Sequence, residues 1–296
     1  MFLIKSNKNI LNNNLIKPLI RCYSTNTTTN NESLNRMKNK VCFVTGGASG
    51  IGLGIVEKFV KEGGKVAIAD LDKGKADVES SRLNKLYPGS TISVGVDVAD
   101  EQQVQKGIQD TVGSFGGLDV VVSNAGLQHI ESIETLDYSV WRKMMGVHLD
   151  GAFLCTKHAM QEFKKDVKRG GTILYMGSVH SKYASEYKIP YVTAKHGLEG
   201  LCRGIAREGA KYNIRANLIC PGFVLTPLVQ KQIPDLARKF NMSEESVAKD
   251  ILLKHTVDGE FTTVEDVAEV AVNFSAIPNK CLTGQSLLVS HGWIME

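Results

Sequence analysis

The chain has 296 residues, 43% of them hydrophobic, enough for one large α/β domain with a sizeable core. Its formal charge is +4. Residues 1–31 hold Lys5, Lys8, Lys17 and Arg21 with no acid, so the rest is neutral and offers no electrostatic footprint for nucleic acid. The six cysteines show no CxxC and the seven histidines no HExxH, which argues for reduced thiols and against a metal site.

Residues 1–31 are basic and end in a Ser/Thr/Asn run. That composition fits a mitochondrial presequence. Arg21-Cys22-Tyr23-Ser24 resembles a matrix-peptidase site. The amphipathic pattern is poor, so a disordered tail on a cytoplasmic protein is the alternative to the mitochondrial matrix. No apolar run here is long enough to span a membrane, and no membrane partner is expected.

The domain is read over 40–296. Val41–Thr45 predicts a short strand, which runs into Gly46-Gly47-Ala48-Ser49-Gly50-Ile51-Gly52 and then a helical pattern through Val60. Strand, glycine turn and helix together present helix N-terminal N–H groups to a phosphate. Gly46, Ser49, Gly50, Ile51 and Gly52 are therefore candidate cofactor residues. A second strand, Lys65–Ala69, ends at Asp70. An acid there accepts from ribose hydroxyls and repels a 2′-phosphate, which favours NAD over NADP. A helix (74–86) and a strand (91–96) lead to Asp97 and Val98. Asp97 either meets an adenine amine or caps the helix beginning near Glu101. The strand Leu118–Ser123 is followed by Asn124-Ala125-Gly126, small enough to lie against a ribose or nicotinamide.

The segment 137–165 predicts one long helix containing His148. The strand Thr172–Met176 precedes Ser178, and a helix to about Tyr212 carries Tyr191 and Lys195 on one face. An ammonium beside a phenol favours the phenolate and is expected to lower its pKa. Ser178 then orients a substrate oxygen while Tyr191 takes or gives its proton. The strand Ile214–Ile219 closes on Cys220-Pro221-Gly222. The polar, helical stretch Thr226–Asp258 reads as a substrate lid. A helix (264–275) and a strand (285–289) complete the pattern. Alternating strands and helices imply a single doubly wound, Rossmann-type parallel sheet with helices on both faces and its site at the strands' carboxyl ends.

TGGASGIG, Asp70, Asp97-Val98, SNAG, Ser178, Tyr191-x-x-x-Lys195 and Pro221, Gly222 with Thr226 arrive in one order. That set resembles the short-chain dehydrogenase/reductase family over residues 40–296. The resemblance implies Tyr191 as acid/base, Lys195 as its modulator and ribose ligand, Ser178 on the substrate oxygen, and a homotetramer. His148 stands where that family usually has asparagine in a proton relay. An imidazole there either joins the relay, adding a group that titrates near neutrality, or simply packs.

A narrower resemblance is to bacterial-type D-3-hydroxybutyrate dehydrogenases. It rests on LQHIESIE, SVHS, Lys188, CPGFVLTPLVQKQI and the terminal HGW. It implies a small hydroxy-acid substrate held through its carboxylate by Gln128, His180, Lys188 and Gln232, with Trp293 closing the pocket. Phe223 and Ser290-His291 depart from that subgroup's pattern. Within the wider family, a 3-oxoacyl or other carbonyl reductase is the rival reading, and a non-catalytic NAD-binding scaffold is the rival outside catalysis.

Overall fold

In the computed structural model, residues 34–295 are described. The segment read as a presequence lies outside them. Val41–Thr45 is strand β1, buried along its whole length. It is followed by β2 (Lys65–Asp70), β3 (Thr91–Gly95), β4 (Val120–Ser123), β5 (Gly171–Met176), β6 (Ile214–Pro221) and β7 (Ser286–Val289). They pair in parallel in the order β3-β2-β1-β4-β5-β6-β7. The order reverses between β1 and β4, where a doubly wound sheet opens a crevice at the strands' carboxyl ends.

Helices cover both faces, so the strands read as near-continuous apolar runs. On one face α1 (Gly50–Lys61), α2 (Lys73–Leu86) and the last helix, Val264–Ala276, pack on Cys42, Val44, Val120 and Val122. On the other, Glu101–Phe115 (α3), Gly151–Phe163 and Ile189–Gly209 pack on Phe43 and Val121. The alternation along β1 and β4 is the two-residue period of a strand.

The long helix expected over 137–165 is interrupted. It comprises α4 (Tyr138–Met145), a π-helical turn at Gly146–Asp150 and α5 (Gly151–Phe163). A wide turn of this kind is uncommon and occurs most often at functional sites. Apolar periodicity does not register it, because the residues on both sides stay helical. Helix α6 (Ile189–Gly209) follows β5. The expected lid is helical: α7 (Pro227–Phe240), a short turn at Glu244–Ser246 and a second π turn at Val247–Leu252. It is less polar than the sequence suggests, with its own core of Val229, Leu236, Val247, Leu252 and Phe261. Helix α8 (Val264–Ala276) returns the chain to β7. Among the described residues, no helix is long and apolar enough to cross a membrane.

Ahead of β1, Met37 is fully buried and Arg36 ties the chain to two helices. The Arg36 guanidinium donates to Glu62 at 2.6 Å and to Glu269 of α8 at 3.0 Å, and Lys58 of α1 donates to Glu265 at 2.6 Å. The Arg36 hydrogen bond is the main cause that holds the Glu269 carboxyl down at about 2, from an ordinary value of 4.5. A depressed folded-state carboxyl stabilises the fold above its unfolded value, and that stability is lost as pH falls through the folded value. The Tm gap between wild type and Glu269→Gln should therefore be full at pH 6 and close as pH falls from about 4.5 toward 2. A gap that stays constant over this range would mean that the Glu269 charge contributes nothing.

Candidate active site

A cleft of about 860 Å³ opens at the carboxyl ends of β1, β4 and β5. Its first wall is the turn after β1. Gly46 has φ +61°, a left-handed backbone that favours glycine. A Cβ on Gly52 would lie 2.1 Å from the Gly46 carbonyl oxygen, so the turn closes only with glycine there. Ser49 precedes α1 without a side-chain cap bond, and the helix has no acid in its first turn. Its leading N–H groups, which no helix satisfies internally, therefore face the cleft uncompensated. Asp70 hangs over this turn and accepts from the Ala48 N–H and the Asp72 N–H, both at 3.0 Å. Asp72 caps α2, accepting from the Lys75 N–H at 3.1 Å.

The two readings of Asp97 are separated here. The cap of α3 is Asp100, which accepts from Gln102 and Gln103. Asp97 instead accepts from Ala99 at 2.9 Å and, with Val98, lines the cleft. The capping alternative is overturned because an aspartate three residues further on already satisfies those donors. Asn124 and Ala125 stitch β4 to β1: both N–H groups donate to Thr45 Oγ1, and Asn124 Nδ2 donates to the Thr45 carbonyl at 2.9 Å. Gly126 lies against the His148 ring. Pro221, Gly222 and Thr226 complete the far wall, Thr226 also capping α7.

Ser178, Tyr191 and Lys195 meet at the centre of the cleft. Burial pushes the Tyr191 phenol up to about 12, against a smaller lowering by the Ser178 hydroxyl. The expected depression by Lys195 is not seen. Its ammonium donates to the Met176 carbonyl at 2.6 Å and stands 5.2 Å from the centre of the tyrosine ring. Burial also brings Lys195 down to about 8.

His148 sits in the π turn, 3% exposed, with its ring edge-on to Tyr191 at 5.4 Å. Its Nε2 lies 2.7 Å from the Leu127 carbonyl oxygen and 3.2 Å from the Leu127 nitrogen. Burial, reinforced by the Lys195 charge, pushes it down to about 3. Of the two readings of His148, the one with a ring titrating near neutrality is not favoured, since at that value the ring is neutral at pH 7. Its Nδ1 is buried without a protein partner among the described residues.

Around this centre stand the other expected residues. Lys188 is 5% exposed, its Nζ 5.0 Å from the centre of the Phe223 ring, and burial brings it down to about 8. Among the described residues it forms no salt bridge. Gln128 and Gln232 also line the cleft. His180 is buried between two hydroxyls, with Nδ1 3.3 Å from Ser178 Oγ and Nε2 2.8 Å from Ser185 Oγ. Trp293 stands behind the lining rather than in it, packed on Phe223 at 5.3 Å and His180 at 5.7 Å. Sequence reasoning missed Arg142, Lys143 and Ser185. The first two line the cleft from α4, where they read as ordinary solvated charges.

A family model described as short chain dehydrogenase matches residues 40–237. This chain belongs to that family. It is 34% identical over 260 residues to the D-beta-hydroxybutyrate dehydrogenase of Rhizobium meliloti, covering 87% of this chain and 99% of the relative. The protein of the same name from Cupriavidus necator is 32% identical, over 88% of this chain and all of the relative. A 3-oxoacyl-(acyl-carrier-protein) reductase of Thermotoga maritima is 29% identical over the same shares.

The chain is therefore a short-chain dehydrogenase, an oxidoreductase of a family that generally binds NAD or NADP. The site fits such a group. The glycine turn leaves a cradle, the start of α1 aims uncompensated N–H groups at it, and Asp70 stands where a ribose would lie.

Proposed function

We propose that this dehydrogenase oxidises D-3-hydroxybutyrate to acetoacetate reversibly, with NAD as its cofactor. Bound NAD would supply the hydride acceptor and a positive charge beside the phenol. Tyr191 then takes the hydroxyl proton, Ser178 holds the oxygen, and Lys195 would hold the nicotinamide ribose. The observation that carries the substrate class is Lys188. A buried ammonium without a salt bridge among the described residues lines the cleft, as do the amides of Gln128 and Gln232. Burying a cation costs free energy unless an anion meets it, and a small carboxylate fits that need. The names of the two hydroxybutyrate relatives support the same reading.

The test is turnover of the purified protein with NAD and a panel of hydroxy acids and carbonyl compounds, followed by reduced-nicotinamide absorbance. Preference for a carrier-linked 3-oxoacyl substrate would replace this proposal.

Asp70 supports NAD because its carboxylate, held by the Ala48 and Asp72 N–H groups, would repel a 2′-phosphate. Asp70→Ala should weaken NAD by roughly 10-fold or more and improve NADP, since hydrogen bonds to a charged acceptor are worth about 1.5–3 kcal/mol. An unchanged ratio of the two cofactors' kcat/KM values would refute the assignment. A homotetramer and import into the mitochondrial matrix, guided by basic residues 1–31, complete the proposal.

A further inference from the structure

Ser185 sits in the loop between β5 and α6, and its hydroxyl is the outer end of a side-chain relay. Ser185 Oγ lies 2.8 Å from His180 Nε2, His180 Nδ1 lies 3.3 Å from Ser178 Oγ, and Ser178 shares the cleft lining with Tyr191. The His180 ring is held in place. It is 2% exposed and packs against Tyr191 at 5.8 Å, Phe223 at 6.4 Å and Trp293 at 5.7 Å. Burial first, then the charges around it, push His180 down to about 3, so the ring carries one proton at neutral pH.

A neutral imidazole has one donor nitrogen and one acceptor nitrogen. With the proton on Nε2, the ring donates to Ser185 and Nδ1 must accept the Ser178 proton. Ser178 then has no proton for a substrate oxygen. With the proton on Nδ1, the ring donates to Ser178 Oγ, Nε2 accepts the Ser185 proton, and the Ser178 O–H points away from the ring. Only the second arrangement leaves Ser178 a donor toward the reacting carbon–oxygen group.

We propose that Ser185 is a positioning residue: its hydroxyl holds His180 as the Nδ1–H tautomer, and His180 in turn aims the Ser178 proton at the reacting oxygen. This assigns His180 to Ser178 rather than to a substrate carboxylate. It rests on the dehydrogenase roles of Ser178 and Tyr191 but not on the identity of the alcohol.

The test uses full-length protein carrying 15N-labelled histidine. Two-bond nitrogen–proton correlations report the tautomer, with the His180 signal assigned by its loss in His180→Asn. Wild type should show Nδ1–H, and Ser185→Ala should shift the population toward Nε2–H. In the same variant kcat should fall about 10-fold, the scale of one hydrogen bond, with the KM of hydroxy acid and of NAD nearly unchanged. Ser185→Thr, which keeps the hydroxyl, should restore both the tautomer and kcat. A wild-type Nε2–H signal overturns the proposal, as does an unchanged kcat in Ser185→Ala. A rise in KM that Ser185→Thr does not rescue also overturns it, since that marks loop packing. Failure of the hydroxybutyrate reading would appear elsewhere, as a missing preference for hydroxy acids, while the tautomer and the kcat loss persisted.

Discussion

Tyr191→Phe should lower kcat by roughly 10² or more while dinucleotide binding persists. The substitution keeps the ring, so its packing against His148 and His180 and its contact with the Lys195 ammonium survive. It removes the one hydroxyl that can exchange a proton with the reacting oxygen beside Ser178. The neighbours cannot stand in for it at neutral pH. His148 and His180 are both held near 3 by burial, and Lys195 is engaged with the Met176 carbonyl. The measurement is single-turnover hydride transfer together with fluorescence titration of the reduced cofactor. Retained turnover would show that another group carries the proton. A joint loss of turnover and of binding would make Tyr191 a structural element of the cleft.

Lys188→Ala should reduce kcat/KM for 3-hydroxybutyrate by about 10- to 150-fold, the scale of a charge-assisted hydrogen bond of 1.5–3 kcal/mol. For a neutral alcohol of similar size the slow rate should barely change. Lys188→Arg should recover part of the loss, because a planar fork approaches a carboxylate differently. The pH dependence gives a second arm. Burial brings Lys188 down to about 8, so the free enzyme loses the charge as pH rises through 8. The ratio of kcat/KM for acid over neutral alcohol should therefore be full below about pH 7 and fall above pH 8 in wild type, and stay flat in Lys188→Ala. Equal losses on both substrates would instead assign Lys188 to support of α6, at whose entry it sits.

The glycine turn, Asp70, Ser178, Tyr191 and Lys195 were legible because each depends on a local rule. A turn needs particular backbone angles, a strand end places an acid, and a four-residue step sets two side chains on one helical face. What was not legible depends on partners remote in the chain or on the surrounding dielectric. The π turn at Gly146–Asp150 adds a wide turn without altering which residues are apolar. The upward shift of Tyr191 and the downward shift of His148 follow from burial, which a residue type does not announce. Asp97 and Asp100 are both plausible caps by composition, and the cap went to the residue whose backbone meets the helix start. Ser185 has no motif of its own, and its place in the site is set by His180 folding back onto it.

The reversal of strand order between β1 and β4 also bears on how the protein reaches its working form. β1 pairs early partners on one side, β2 and through it β3, all within the first part of the domain. On its other side it must find β4, and the Thr45–Asn124 bonds that seal that junction close a separation of 79 residues. Pairings of such long sequence separation form late, because loop entropy is lost before contacts repay it. The cleft straddles this seam, with the glycine turn and Asp70 on the early side and Ser178, Lys188 and Tyr191 beyond it. On refolding, helical structure should therefore return before activity does, and the interval between them measures the closing of the β1–β4 junction.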